Sequence, residues 1–156
     1  MAGPSNSQPE TMRPWFERGS AHGAIEGLTD LLFVYGTLMR GFSLHRLLEK
    51  AARCVGTGQV VGRLIDLGAY PGAVSDAHGR IAGEVYEIGV PALWTVLDSA
   101  EGPQYHRGEV GVRMDDGAER VAFMYWYRGP LRGIPIPGGD YRAHAPARSI
   151  HHDPRA

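Results

Sequence analysis

Among its 156 residues the chain has one cysteine, Cys54, so no intrachain disulfide can form, and a reducing, cytoplasmic setting is expected. Cys54 itself reads as a packing residue rather than a nucleophile. No Cys/His cluster has the spacing of zinc ligands, and His151 and His152, isolated from other ligand types, read as part of a solvated end. Dense runs of Lys or Arg are missing too, and the formal net charge is -1. Neither nucleic acid nor an anionic membrane surface is therefore expected as a partner. There is no stretch of about 18 consecutive apolar residues and no apolar segment after the first basic residue, so neither a membrane span nor a secretory signal is expected. A glycine loop running into a phosphate-binding lysine is also absent. No metal or nucleotide cofactor is expected: dialysis against a chelator should leave the protein's activity intact, and a rate restored by a divalent ion would contradict this.

What the chain does have is core material. Hydrophobic residues make up 43% of it, enough for one packed domain, and a small molecule is the expected partner. A monomer or weak dimer is expected. The organising stretch is Leu32-Phe33-Val34-Tyr35-Gly36-Thr37-Leu38-Met39-Arg40-Gly41. Apolar and aromatic β-formers run unbroken into Gly36, which reads as a buried strand stopping at a residue free of backbone restriction. Leu44, Leu47, Leu48 and Ala51 then follow at the spacing of one helix face, which predicts strand, glycine loop, helix. Such a loop offers unpaired backbone N–H groups to an anionic or carbonyl oxygen, although an ordinary buried strand with a tight turn has the same pattern.

The remaining segments fall into order around that unit. Residues 1–27 read as a flexible N-terminal tail, since Met1 to Thr11 are rich in Pro, Ser, Gly, Asn and Gln, and the domain is expected over 28–129. Gly56, Gly58 and Gly62 punctuate a β-rich stretch and suggest bends or bulges of a curling sheet. Tyr70-Pro71-Gly72 marks a turn, and Arg80–Ile88 reads as an interior strand in which Gly83 permits close approach. Pro91 opens a short helix whose apolar face, Leu93, Trp94, Val96, Leu97 and Ala100, ends at Glu101 before Gly102. A carboxylate at the negative end of a helix is unfavourable and needs a reason. Two alternating runs flank Asp115-Asp116-Gly117-Ala118 as a hairpin, and residues 130–156 read as an irregular arm and tail.

Taken together, several of these segments resemble the γ-glutamylcyclotransferase-like family, which includes γ-glutamylamine cyclotransferases and the AIG2-like proteins. The resemblance rests on Phe33-Val34-Tyr35-Gly36-Thr37-Leu38 with Arg40-Gly41, on Gly62-Arg63-Leu64, Tyr70-Pro71 and Gly83-Glu84-Val85-Tyr86, and on Leu97-Asp98-Ser99-Ala100-Glu101-Gly102 with Tyr105-His106-Arg107 and Tyr125. It implies an α+β fold, a small mixed β-barrel with flanking short helices. It also implies conversion of a γ-glutamyl amine or γ-glutamyl peptide to 5-oxoproline and the free amine, without a cofactor. In that chemistry the α-amine attacks its own γ-carbonyl, and one carboxylate serves as general base and then general acid. Glu101 matches the family's catalytic glutamate, and burial together with its helix-end position would raise its pKa toward neutrality. The loop Tyr35-Gly36-Thr37-Leu38 matches the substrate-binding loop.

Other residues keep two readings. Tyr105 and Tyr125 either line the pocket or are core tyrosines with satisfied hydroxyls, and Arg107 either holds a substrate carboxylate or pairs with an acid on the rim. Glu84 is expected to have a structural hydrogen-bonding role, and Asp98 one at the helix end. Removal of a γ-glutamyl protecting group from a biosynthetic intermediate is the same reaction on another substrate, and a binding protein that has lost turnover is the alternative of a different class.

Overall fold

A computed structural model describes residues 29–144; the expected tail over 1–27 and the residues beyond 144 lie outside the described residues. Five strands close into a barrel: β1 (Leu31–Val34), β2 (Ala52–Val61), β5 (Arg80–Ile88), β6 (Tyr105–Met114) and β7 (Glu119–Tyr127), in the order β1-β5-β2-β6-β7. A three-stranded sheet, β3 (Arg63–Asp66), β4 (Pro71–Val74) and β8 (Ile134–Pro135), packs beside it in the order β4-β3-β8. The helices are short, α1 (Leu93–Glu101) and α2 (Tyr141–His144), with 3₁₀ turns at His45–Leu47 and Pro137–Gly139. This is the small mixed β-barrel with flanking short helices expected of the α+β class.

β1 is apolar throughout because side chains on both its faces are covered, and its two edges are paired as well. It runs antiparallel to β5, with Leu32 opposite Tyr86 and Val34 opposite Glu84, and parallel to β7 at Leu32 and Phe123. That parallel contact closes the barrel and leaves β1 no free edge. Leu32, Phe33 and Val34 are essentially solvent-free, and each such side chain contributes about 1.5–3 kcal/mol by leaving water. As expected, β5 is interior, paired to β1 and β2. A Cβ on Gly83 would run into the Val34 carbonyl and the Phe33 ring, so only glycine lets the two strands approach this closely. The anticipated bulge lies between Cys54 and Gly56, and the β6–β7 hairpin turns at Gly117 with φ of +95°.

Three expectations are corrected. No α-helix follows the glycine loop: residues 42–51 form turns around the 3₁₀ turn His45–Leu47, whose start has no side-chain cap. The apolar spacing is satisfied without a helix, since Leu48 is buried and Leu44, Leu47 and Ala51 pack on the core. Only four residues separate the 3₁₀ turn from β2, and ladder pairing with β5 claims the chain from Ala52 on. Cys54 is exposed rather than packed, because it lies in the first half of β2, where none of residues 52–57 is buried. Packing also continues past Gly129, where the sequence reading ends the domain. Ile136 donates its N–H to Leu64 O at 2.9 Å, and Ile136 and Tyr141 are both part of the main core.

Candidate active site

A cavity of about 200 Å³ opens beside the end of β1. It is lined by Phe33, Val34, Tyr35, Gly36, Thr37, Leu38 and Leu44 from β1 and its loop, Tyr70 and Pro71 from the start of β4, Ala100 and Glu101 from α1, and Tyr105 and Tyr125 from β6 and β7. Tyr105 faces Tyr127 and Arg107 faces Tyr125 across the β6–β7 ladder, while Val110 and Val112 occupy the alternate, buried positions of β6. Alternation thus places the site tyrosines on one face of the hairpin, where α1 also packs through Trp94 on Phe123, 5.3 Å between ring centroids.

Glu101 is the last residue of α1, which stops where Gly102 adopts a φ of +89° and donates its N–H to Asp98 O at 3.2 Å. No basic residue lies in the last turn. Burial pushes the Glu101 carboxyl up to about 7 from its ordinary 4.5. Beside it stand three tyrosines. Tyr35 donates to Tyr125 O at 2.6 Å, Tyr105 to Pro71 O at 2.8 Å and Tyr125 to Asp98 Oδ1 at 2.6 Å. Burial first, then the charge of Glu101 for Tyr35 and Tyr105 and the Asp98 hydrogen bond for Tyr125, raises their pKa values further above the phenol range. They remain neutral donors. Both readings of Tyr105 and Tyr125 therefore hold together: the rings line the wall and the hydroxyls are satisfied.

Opposite Glu101 the loop is held at several points. Met39 N–H bonds Gly36 O at 3.0 Å, Leu44 N–H bonds Thr37 O at 2.9 Å, and His45 Nδ1 lies 2.9 Å from Leu38 O. Among the described residues no acceptor pairs with the N–H of Thr37 or Leu38. Two adjacent cavity-lining residues thus have N–H groups without a protein acceptor among the described residues, in a loop already fixed through its carbonyls.

Arg107 does not line the cavity. Its guanidinium binds Asp98 through Nε at 3.1 Å and Nη2 at 3.2 Å, and stacks on Trp94 and Phe123 at 4.5 and 5.1 Å from the ring centroids. Of the two sequence readings, the structure has the pairing one. Asp98, which also accepts the Tyr125 hydroxyl, is thereby the point that fastens the last turn of α1 to the hairpin. Asp98→Ala should cost about 2–3 kcal/mol, because a charged acceptor is lost by two donors at once. Arg107→Met, which keeps the Tyr125 bond, should cost under about 1 kcal/mol. Urea denaturation of both variants checks the order, and equal costs would refute it.

Sequence reasoning missed Phe33, Val34, Leu44, Tyr70, Pro71 and Ala100 as lining residues. The sequence reads Tyr70-Pro71-Gly72 as a turn, whereas the chain turns at residues 68–70 and Pro71 and Gly72 already pair with Asp66 and Ile65 in β4; nothing local says that β4 packs against the end of β1.

Comparison with known proteins now bears on the site. The sequence profile of the family described as "Gamma-glutamyl cyclotransferase, AIG2-like" matches residues 32–143. The chain belongs to this family. A Methanocaldococcus jannaschii protein named "Putative gamma-glutamylcyclotransferase" is 32% identical over 117 residues, 72% of this chain and 96% of that protein. A Niallia circulans protein, "Gamma-L-glutamyl-butirosin B gamma-glutamyl cyclotransferase", is 36% identical over 63 residues, 40% of each chain. The chain spans about half or less of three of its curated relatives, 53%, 40% and 43% of their lengths. The crystal structure of an AIG2-like protein from Mus musculus has the same fold, with a TM-score of 0.65 and 22% identity over 81% of this chain and 97% of that one. Glu101 and the loop after β1, the segments on which the sequence resemblance rested, both lie within the matched residues.

Proposed function

We propose that this member of the γ-glutamyl cyclotransferase family converts a γ-glutamyl amine or γ-glutamyl peptide to 5-oxoproline and the free amine. The observation that carries the reading is the pairing of one largely buried carboxyl, raised to about 7, with a cavity-lining loop whose Thr37 and Leu38 N–H groups have no acceptor among the described residues. Glu101 takes a proton from the substrate's α-ammonium, and the freed amine attacks the γ-carbonyl to close a five-membered ring. The carbonyl oxygen becomes an oxyanion held by the loop N–H groups. Glu101 then gives its proton to the leaving nitrogen as the C–N bond breaks, takes the second proton from the ring nitrogen so that a neutral lactam is left, and passes it on to the departing amine, which is released as its ammonium. No water is consumed and no redox change occurs, so the reaction calls for no cofactor. Among the described residues no Lys, Arg or His side chain lines the cavity, which leaves backbone N–H groups and hydroxyls such as that of Thr37 to bind the glutamyl carboxylate.

A pure binding pocket gains nothing from a desolvated carboxylate that opposes folding at neutral pH, which favours catalysis over a silent cavity. A second reading, removal of a γ-glutamyl group from a biosynthetic intermediate, is favoured by the 36% identity to the butirosin-directed relative and uses the same steps. Incubating the protein with a panel of γ-glutamyl amines, γ-glutamyl dipeptides and γ-glutamylated aminoglycosides, with chromatographic detection of 5-oxoproline, tests both. Turnover of the first two classes supports the main reading, and turnover of the third alone supports the second. No 5-oxoproline from any of them would sink the enzymatic assignment.

A further inference from the structure

Arg40 sits near the far end of the Gly36–Gly41 loop, and both of its backbone polar groups are taken by side chains from distant parts of the fold. Its N–H donates to Glu84 Oε1 at 3.0 Å, and its carbonyl accepts from Arg142 Nη2 at 2.7 Å. The same Nη2 lies 2.9 Å from Glu84 Oε2, and the Tyr86 hydroxyl donates to Glu84 Oε1 at 2.8 Å. The ring of bonds is closed: loop to Glu84 on β5, Glu84 to Arg142 on α2, Arg142 back to the loop. Packing supports it, since the guanidinium lies 5.0 Å over the Phe42 ring, and that ring also packs on Tyr141, 5.5 Å between ring centroids. The Glu84 side chain is only 13% exposed, so its charge is held largely by these partners.

A surface loop can satisfy one amide and one carbonyl with water at little cost. Two side chains 58 residues apart, drawn from β5 and the C-terminal arm, are therefore more than the loop needs for stability alone. What they supply is a fixed far end to the loop: with both polar groups of Arg40 tied, the segment that follows Thr37 and Leu38 cannot shift without breaking charge-assisted bonds. From this geometry we infer that Arg142 and Glu84 form a positioning pair that holds the substrate loop in its binding conformation, so that the arm after Gly129 belongs to the binding machinery. This rests on the function proposed above, and adds a residue outside every segment that carried the family resemblance.

The pair is tested with Arg142→Met, Arg142→Lys, Glu84→Gln and the Arg142→Met/Glu84→Gln double variant, assayed on whichever γ-glutamyl compound the unaltered protein turns over best. Arg142→Met is expected to raise KM by about tenfold or more, as misdirected binding groups do. Arg142→Lys should recover most of that loss, because a single ammonium can reach both oxygens that Nη2 serves. The double variant should be little worse than Arg142→Met, since the two side chains act as one unit. The acid limb of the kcat profile, which belongs to Glu101, should stay where it is in every variant. Should Arg142→Met fail to fold, Glu84→Gln, nearly isosteric, carries the same test. Lowered melting temperatures with KM unchanged in folded Arg142→Met or Glu84→Gln would overturn the pair and leave the function standing. An unaltered protein that turns over none of the compounds would sink the function, and the pair with it.

Discussion

Glu101→Gln is expected to keep the fold and substrate binding while lowering turnover by about 10²–10⁴, the range for losing a general acid–base group. The amide fills the same space at the end of α1 and can neither accept the ammonium proton nor return one to the leaving nitrogen. Two pH signatures separate this from a general loss of structure. With the Glu101 carboxyl raised to about 7, turnover of the unaltered protein should fall as pH drops below neutrality, because the base must be ionised to act. That limb should vanish in the variant. Stability moves the other way. A carboxyl whose folded-state pKa lies above its unfolded value favours the folded state fully at pH below 4.5, and that contribution is lost as pH rises through about 7. The buried charge then opposes folding by up to about 3 kcal/mol above neutrality. Glu101→Gln should accordingly melt higher than the unaltered protein at pH 8 and close to it at pH 5. Wild-type rates from the variant would move the base elsewhere. An equal change in melting temperature at both pH values would mean that the carboxyl is not desolvated as described.

How far this site could be read in the sequence depended on whether local chemistry or long-range packing decided each residue. β1 was legible because a four-residue apolar run ending at glycine has few alternatives, and Glu101 because a carboxylate at the wrong end of a helix is conspicuous without any fold. The bulge at Gly56 and the hairpin at Gly117 were legible for the same local reason. The segment 42–51 was misread because Leu44, Leu47, Leu48 and Ala51 have helical spacing, yet turns bury the same side chains equally well. Nothing local to Arg107 says that Trp94, Phe123 and Asp98 already surround it. The arm looked irregular since its proline and glycine content suppresses any periodic signal, while its role is carried by single residues, Ile136 and Tyr141 in the core and Arg142 on the loop.

Gly36→Val should be the most damaging single change in the loop, for a reason the sequence did not reveal. Glycine was expected here for a backbone angle closed to other residues, but Gly36 is not among the positive-φ glycines; what forbids a side chain is Pro71. A Cβ on Gly36 would lie 2.6 Å from Pro71 Cγ and 2.9 Å from its Cδ, well inside van der Waals contact. Pro71 is buried in β4, a rigid ring with no rotamer that clears the space. Gly36→Ala should therefore cost about 1–3 kcal/mol, the usual range for overpacking, and the branched Gly36→Val more than that. Because the same contact fixes where the loop leaves β1, the valine variant should also lose substrate binding where it still folds. Thr37→Ser keeps the backbone and the hydroxyl and should be mild in both stability and KM. The decisive comparison is Gly36→Ala against Gly36→Ala/Pro71→Ala, by urea denaturation. Shortening Pro71 removes the two atoms in conflict, so the double variant should be more stable than the sum of the single effects allows. If the costs simply add, the Pro71 contact is not what holds this position to glycine, and if Thr37→Ser proves as damaging as Gly36→Val, the loop works through the threonine side chain instead of its backbone.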